Sequence, residues 1–260
     1  MEEFETQPPL PKKKKKKSQY MKQTSSLSVS VMFILPALVF YEIGIFLLSP
    51  PYQNGVGAIF KILVHTLGNR FDDRNLLILN AILMLFLIFI YQRKKKTGGV
   101  RSGYYFTMLL ESSAYAVLLA MFAFLFLNIS AIAHRFIDLS VLIPNDTKLY
   151  AILANVIYAF GAGIYEEIFF RLGLMNLLLF FFTQKVSKKK VNYTPLFFAI
   201  LISSILFAAA HGVGNPSQLA WQPMLFRTIS GMFFGVIYIL RGLSVAVYMH
   251  IIYDLIVFMF

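Results

Sequence analysis

The feature that most constrains this chain is an apolar run from residue 149 to 182 with three charges near its middle, Glu166, Glu167 and Arg171. Its 34 residues, wound as a helix rising 1.5 Å per residue, would extend about 51 Å, well beyond a hydrocarbon core of about 30 Å. Such a helix must tilt, protrude or break, and Gly161-Ala162-Gly163 is the expected weak point. A charge at bilayer depth costs at least about 2.5–3.5 kcal/mol on insertion scales, so three in one segment require a reason. Glu167 and Arg171 are four apart, share a helix face and stand in the favourable acid-first order. Glu166 is turned about 100° from that face. One carboxylate is therefore expected to be neutralised and structural, while its neighbour is the candidate for chemistry. A helix-packing ion pair beside a second acid is the plainer reading of the same residues.

The wider composition gives this segment its setting. Of 260 residues, 58% are hydrophobic and only 14% charged, more apolar surface than a soluble domain of this size needs. Several runs reach the length of a bilayer span, so the expected fold is all-α, a polytopic transmembrane helical bundle. A net charge of +12 could point to nucleic acid. Most of the Lys and Arg, however, flank apolar runs, as the positive-inside pattern requires, and no nucleic acid partner is expected. The absence of Cys excludes a disulfide framework, a thiol nucleophile and a Cys-ligated zinc site.

Read in order, residues 1–26 are a polar, low-complexity segment with six lysines at 12–17, expected to be a disordered, basic cytoplasmic tail. The lysine run either stays solvated or meets anionic headgroups at about 1 kcal/mol per residue. The run from 27 is too long for a cleaved leader and is expected to be retained as a first span, 27–49. Further spans are expected at 76–91, 104–127, within 149–182, and at 195–211, 223–240 and 243–260, about seven in all. Gly231 and Gly235 in the sixth are spaced for close helix packing. The resulting division is a tail at 1–26, N-terminal helices at 27–147 and a core at 148–260. Seven spans with the N-terminus inside put seventeen Lys and Arg inside and five outside, so an N-in, C-out orientation is expected.

The titratable residues inside apolar segments form a set: Glu166, Glu167 and Arg171, then His211 at the end of the fifth span, then His250 and Asp254 four apart in the last. Phe207 and His211 also share a face. A lone histidine on an apolar helix is more often a satisfied core residue than a catalyst. Two histidines with three acids on membrane helices weaken that account, because each group carries its own desolvation cost. Counting turns places His211 near the outer end of its span and His250 about 10 Å from the inner end of its own. Tilt or unequal helix ends must reconcile them if they share a site. Glu42, Glu111 and Arg227 either pair across helices or line a water path, and His65 and His134 fall in loops.

In this order Glu166-Glu167-x-x-x-Arg171, Phe207-x-x-x-His211 and His250-x-x-x-Asp254 resemble the three motifs of the CAAX protease and bacteriocin-processing family. These intramembrane proteases include the type 2 CAAX prenyl endopeptidases, called Abi proteins in bacteria. The resemblance covers roughly residues 150–260. It implies hydrolysis of a peptide bond within the membrane, with Glu166 and His211 activating water and His250 and Asp254 stabilising the oxyanion. Glu167 and Arg171 would hold the helix and shape the field. Members often carry Asn where this chain has Asp254, and an ionised carboxylate cannot donate to an oxyanion. Asp254 is therefore either protonated or orients His250 through its ring N–H. Two His and a Glu (Glu166, His211, His250) could also bind a divalent metal such as zinc, although no HExxH spacing fixes two ligands on one helix. Metal-assisted and metal-free chemistry both remain open.

The expected function is an intramembrane endopeptidase of a bacterial plasma membrane. Its substrate would be a hydrophobic or membrane-associated peptide, such as a bacteriocin or pheromone precursor, or a CAAX-like C-terminus. A non-catalytic bacteriocin self-immunity factor or membrane scaffold of the same family is the alternative. A proton-coupled transporter ranks last, because the chain shows no inverted repeat.

Overall fold

The computed structural model describes residues 19–48, 73–94, 102–127, 145–183, 193–212 and 219–259. Every regular element among them is helical. In chain order these are α1 (Gln19–Thr24), α2 (Leu27–Leu48), α3 (Asp73–Lys94), α4 (Gly103–Leu127) and α5 (Asn145–Glu167). A π-helical segment (Ile168–Met175) follows, then α6 (Asn176–Thr183), α7 (Thr194–Ala210), α8 (Trp221–Arg241) and α9 (Leu243–Met259). The lysine run at 12–17, His65 and His134 lie outside the described residues.

Helices stand at each stretch where a span was expected. Leu27–Leu48, Gly103–Phe126 and Trp221–Arg241 are long and apolar enough to cross a membrane, whereas Thr194–Ala210 and Leu243–Phe258 are apolar but shorter. Among the described residues, length and composition thus mark three helices as able to cross, and the expected count of seven is not reached on that measure. Large side chains such as Phe46, Leu125 and Phe181 point outward from the bundle. Alanine, serine and glycine are frequent inside, as expected where lipid, not water, covers the surface. With backbone groups satisfied within each helix, such a bundle leaves no lipid-facing polar backbone.

Inside, α9 packs against α4 and α5, α8 against α7, and α2 against α3 and α5. Glycines set the closest approaches. A Cβ on Gly163 would lie 2.6 Å from Ile251 Cγ1 and 2.9 Å from its backbone nitrogen, so the α5 and α9 backbones touch there. The expected break at Gly161-Ala162-Gly163 does not occur, and α5 runs unbroken through it. Those glycines are contact points, Gly161 against the Tyr41 ring and Gly163 against α9. The change of winding comes after Glu167. Side chains there supply donors to the carbonyls of the π segment: Ser203 Oγ to Phe170 O at 2.8 Å, and Asn176 Nδ2 to Arg171 O and Leu172 O at 3.0 and 2.9 Å. The other expected pair behaves as read: Gly231 and Gly235 let α8 lie directly on Ser204, Phe207 and Ile200 of α7.

The tail expected to be disordered over 1–26 is helical from Gln19 to Thr24. This helix is clasped to the bundle by Glu111 of α4. Glu111 holds Arg241 through both Nε and Nη2 and accepts from Tyr20 Oη at 2.8 Å and Tyr115 Oη at 3.1 Å. Burial and the Glu111 carboxylate push the Tyr20 hydroxyl up to about 12, so it remains a donor throughout the physiological range. Just beyond Arg241, Gly242 turns the chain from α8 to α9 at φ 93°, against the backbone of Ser25. Glu111 is thus a structural acid.

Gly163→Val would force α9 off α5. Thermal unfolding in detergent micelles should show a loss of about 1–3 kcal/mol, the usual cost of overpacking, whereas Gly103→Ala, with open space around it, should leave the midpoint nearly unchanged.

Candidate active site

The contact between α5 and α9 fixes where the acids and histidines meet. Glu166 and Glu167 close α5, three and four residues after Gly163, and His250 on α9 precedes Ile251, the residue against which Gly163 packs. Both glutamates are completely buried and His250 is nearly so. Glu167 accepts from His250 Nδ1 at 2.9 Å on one carboxylate oxygen and faces Arg171 Nε at 3.2 Å on the other. Arg171 is itself anchored. Its Nη2 donates to Gly231 O of α8 at 3.1 Å, and its guanidinium lies 4.5 Å from the Phe207 ring centre and 5.4 Å from that of Phe234. Aromatic faces and a carbonyl thus take the place of water around a buried cation.

Glu166 points to the other side of the helix, as its 100° offset demands. Its Oε2 lies 3.7 Å from His211 Nε2 and 3.9 Å from His250 Nε2. His211 caps the C-terminal end of α7, where its Nδ1 donates to Phe207 O at 2.9 Å. That bond turns Nε2, with its lone pair in the neutral ring, toward Glu166. Asp254 Oδ2 stands 3.6 Å from His250 Nε2. Carboxylates therefore face both nitrogens of His250, whose ring is further held by Phe234 stacked at 4.4 Å.

The structure brings together all six residues selected from the sequence. The depth conflict does not arise in the structure, because the Nε2 atoms of His211 and His250 both lie within 4 Å of Glu166 Oε2. The orientation of His250 needs correcting. Glu167 holds the Nδ1–H of the ring, and Asp254 lies at the opposite nitrogen, beyond hydrogen-bond length. Glu167 thus both pairs with Arg171 and orients a histidine. The side chains of His211 and Asp254 are 21% and 15% exposed whereas that of Glu166 is 1% exposed, so the cluster opens on the side of these two and is otherwise sealed. Glu42 accepts from Tyr165 Oη at 3.1 Å, which ties α2 to the residue before the glutamate pair.

Sequence reasoning missed Ser203, Asn176 and Phe234. Ser203 lies four residues before Phe207 and eight before His211, so the stripe carrying the second motif already contained it. Phe234 lies three residues after Gly231 on the same side of α8. Among the described residues, no group of three or more His, Asp or Glu side chains is arranged to hold a metal ion.

An all-helical, membrane-type bundle enclosing a Glu/His cluster narrows the class considerably. Among protein-family models, that of the type II CAAX prenyl endopeptidase Rce1-like family matches residues 147–256. This is a protease family, and the matched segment contains all three motifs and every residue of the cluster. The family to which the motifs pointed is thus the family matched. Comparisons with curated proteins and with solved structures each found no match.

Arg171→Leu removes the guanidinium that faces the buried Glu167. Stripping one partner from a buried pair costs about 3–5 kcal/mol. Denaturation in micelles should show that loss, and Glu167→Leu combined with Arg171→Leu should recover a large part of it.

Proposed function

We propose that this protein is an intramembrane endopeptidase that cleaves a hydrophobic or membrane-associated peptide with water, and that Glu166 is its general base. The observation that carries this reading is the convergence of two histidine Nε2 atoms, from different helices, within 4 Å of one buried carboxylate oxygen. Groups 3.7 Å apart can both touch a single water at an ordinary hydrogen-bond distance of about 2.8 Å. Glu166 takes a proton from that water while His211, fixed by Phe207 O, holds it in line for attack.

The attacked carbonyl becomes an oxyanion on the His250 side. Protonated at both nitrogens between its carboxylates, His250 gives Nδ1–H to Glu167 and Nε2–H to the oxyanion. Asp254, 3.6 Å from that nitrogen, positions the ring from the open side of the cluster. Glu166 then returns its proton to the leaving amine. In this account Glu166, His211 and His250 touch reacting atoms, and Glu167, Arg171 and Asp254 are positioning residues. The low exposure of Glu166 limits competing solvent and strengthens each charge interaction.

The match to a CAAX endopeptidase family makes a prenylated CAAX peptide the first substrate to try, with short hydrophobic secretion precursors as the second. The charge distribution supports a plasma-membrane protein with its N-terminus in the cytoplasm.

The test is cleavage of a quenched fluorescent farnesylated CAAX peptide and of a panel of hydrophobic precursor peptides by purified protein in lipid nanodiscs. Glu166→Gln, His211→Ala and His250→Ala should each lower turnover at least about a thousandfold while keeping the folded fraction of the wild type. Processing that survives all three substitutions would overturn the enzyme reading and favour a non-catalytic immunity or scaffold role.

A further inference from the structure

Among the described side chains three arginines lie in or beside the bundle core, and two have carboxylate partners. Arg171 faces Glu167 and Arg241 is held by Glu111. Arg227 on α8 differs from both. It is half-buried and forms no ion pair with a described residue, while its Nη1, like theirs, is enclosed without a hydrogen-bond partner. A cation partly taken out of water is costly unless an anion reaches it, and no described carboxylate stands within ion-pair distance, so the position favours a further anion in direct contact.

Its neighbours show where that anion would sit. Arg227 is seven residues before Phe234, which is two helical turns, so both lie on one side of α8, and Phe234 stacks on His250. The groups whose charges act on Arg227 are Tyr253, Tyr158, Glu166 and Asp254. Tyr158 lies two turns before Glu166 on α5, and its ring meets Phe258 of α9 at 5.5 Å. Arg227 therefore lies on the side of α8 that carries the ring stacked on His250, about two turns from it.

Building on the proposed peptidase activity, we propose that Arg227 is a substrate-binding residue that receives a carboxylate of the peptide, either its free C-terminus or an Asp or Glu side chain. Its planar, five-donor guanidinium suits a carboxylate in two-point contact. The phenol of Tyr253 can donate to the same group. The repulsive face is also present: Asp254 and Glu166 beside Arg227 disfavour an anion placed one turn too deep, which sets the distance between the bound carboxylate and the scissile bond.

The experiment compares wild type, Arg227→Gln and Arg227→Lys in nanodiscs on one cleavable peptide in three forms: free acid, C-terminal amide, and free acid with its acidic side chains neutralised. A charge-assisted contact corresponds to about ten- to hundredfold in binding. For wild type, KM should rise by that factor either for the amide or for the side-chain-neutral form, and this identifies the source of the carboxylate. Arg227→Gln should raise KM equally for the parent peptide, leave kcat within about twofold and no longer distinguish the forms, and Arg227→Lys should recover part of the difference. Loss of kcat at unchanged KM in Arg227→Gln, or equal KM for all three forms with wild type, would overturn the proposal. Glu166→Gln, run alongside, tests the peptidase reading by itself, because it must silence all three peptides regardless of their charge.

Discussion

A carboxylate buried in a lipid-embedded bundle must be compensated on all sides, and Glu167 is where this chain meets that demand. Its two oxygens are taken by Arg171 on its own segment and by His250 on α9. Arg171 is in turn held by a carbonyl of α8 and the ring of Phe207 on α7. One acid therefore links α5, the π segment, α7, α8 and α9. Replacing such a network with apolar side chains could be neutral for stability, so its value lies more in geometry than in folding energy. It fixes where Glu166, one residue away and on the other face, must point.

The π segment belongs to the same device. An α-helix continued past Glu167 would offer Arg171 to Glu167, but the carbonyls of Phe170, Arg171 and Leu172 would have no use for the donors of Ser203 and Asn176. The wider winding exposes those carbonyls to side chains and lets Arg171 reach Gly231 as well. Close contact at Gly163 then brings α9 to the end of α5, so a residue without chemistry of its own determines whether the histidine arrives. The clasp of Glu111, Arg241 and Tyr20 sits at the opposite end of α8 from Trp221 and holds the N-terminal helix against the turn at Gly242.

Much of this was legible in the chain. The i,i+4 relation of Glu167 and Arg171 and the 100° offset of Glu166 are properties of any helix, and they survived the unexpected winding because it begins only after Glu167. The apolar runs showed where helices form, but the number that cross a bilayer depends on length and tilt, which hydropathy alone does not give. Gly161-Ala162-Gly163 was misread because glycine weakens an isolated helix and also permits close packing, and only the partner helix decides between the two. The hydrogen bond from His250 to Glu167 was invisible because it joins residues 83 apart, whereas the i,i+4 spacing drew attention to Asp254. Arg241 and Glu111 are 130 residues apart, so sequence spacing could not pair them either.

The central claim is that Glu166 shares one pocket with His211 and His250. The chain has no cysteine, so paired thiols can be introduced without background. The most direct measurement is mercuric-ion bridging, read by intact mass, in Glu166→Cys with His211→Cys and in Glu166→Cys with His250→Cys. The outward-facing Leu125→Cys, combined with Glu166→Cys, serves as control. The account predicts one bound mercury per molecule in both test pairs, resistant to competing thiol, and none in the control. Test pairs that bind no more tightly than the control would contradict it.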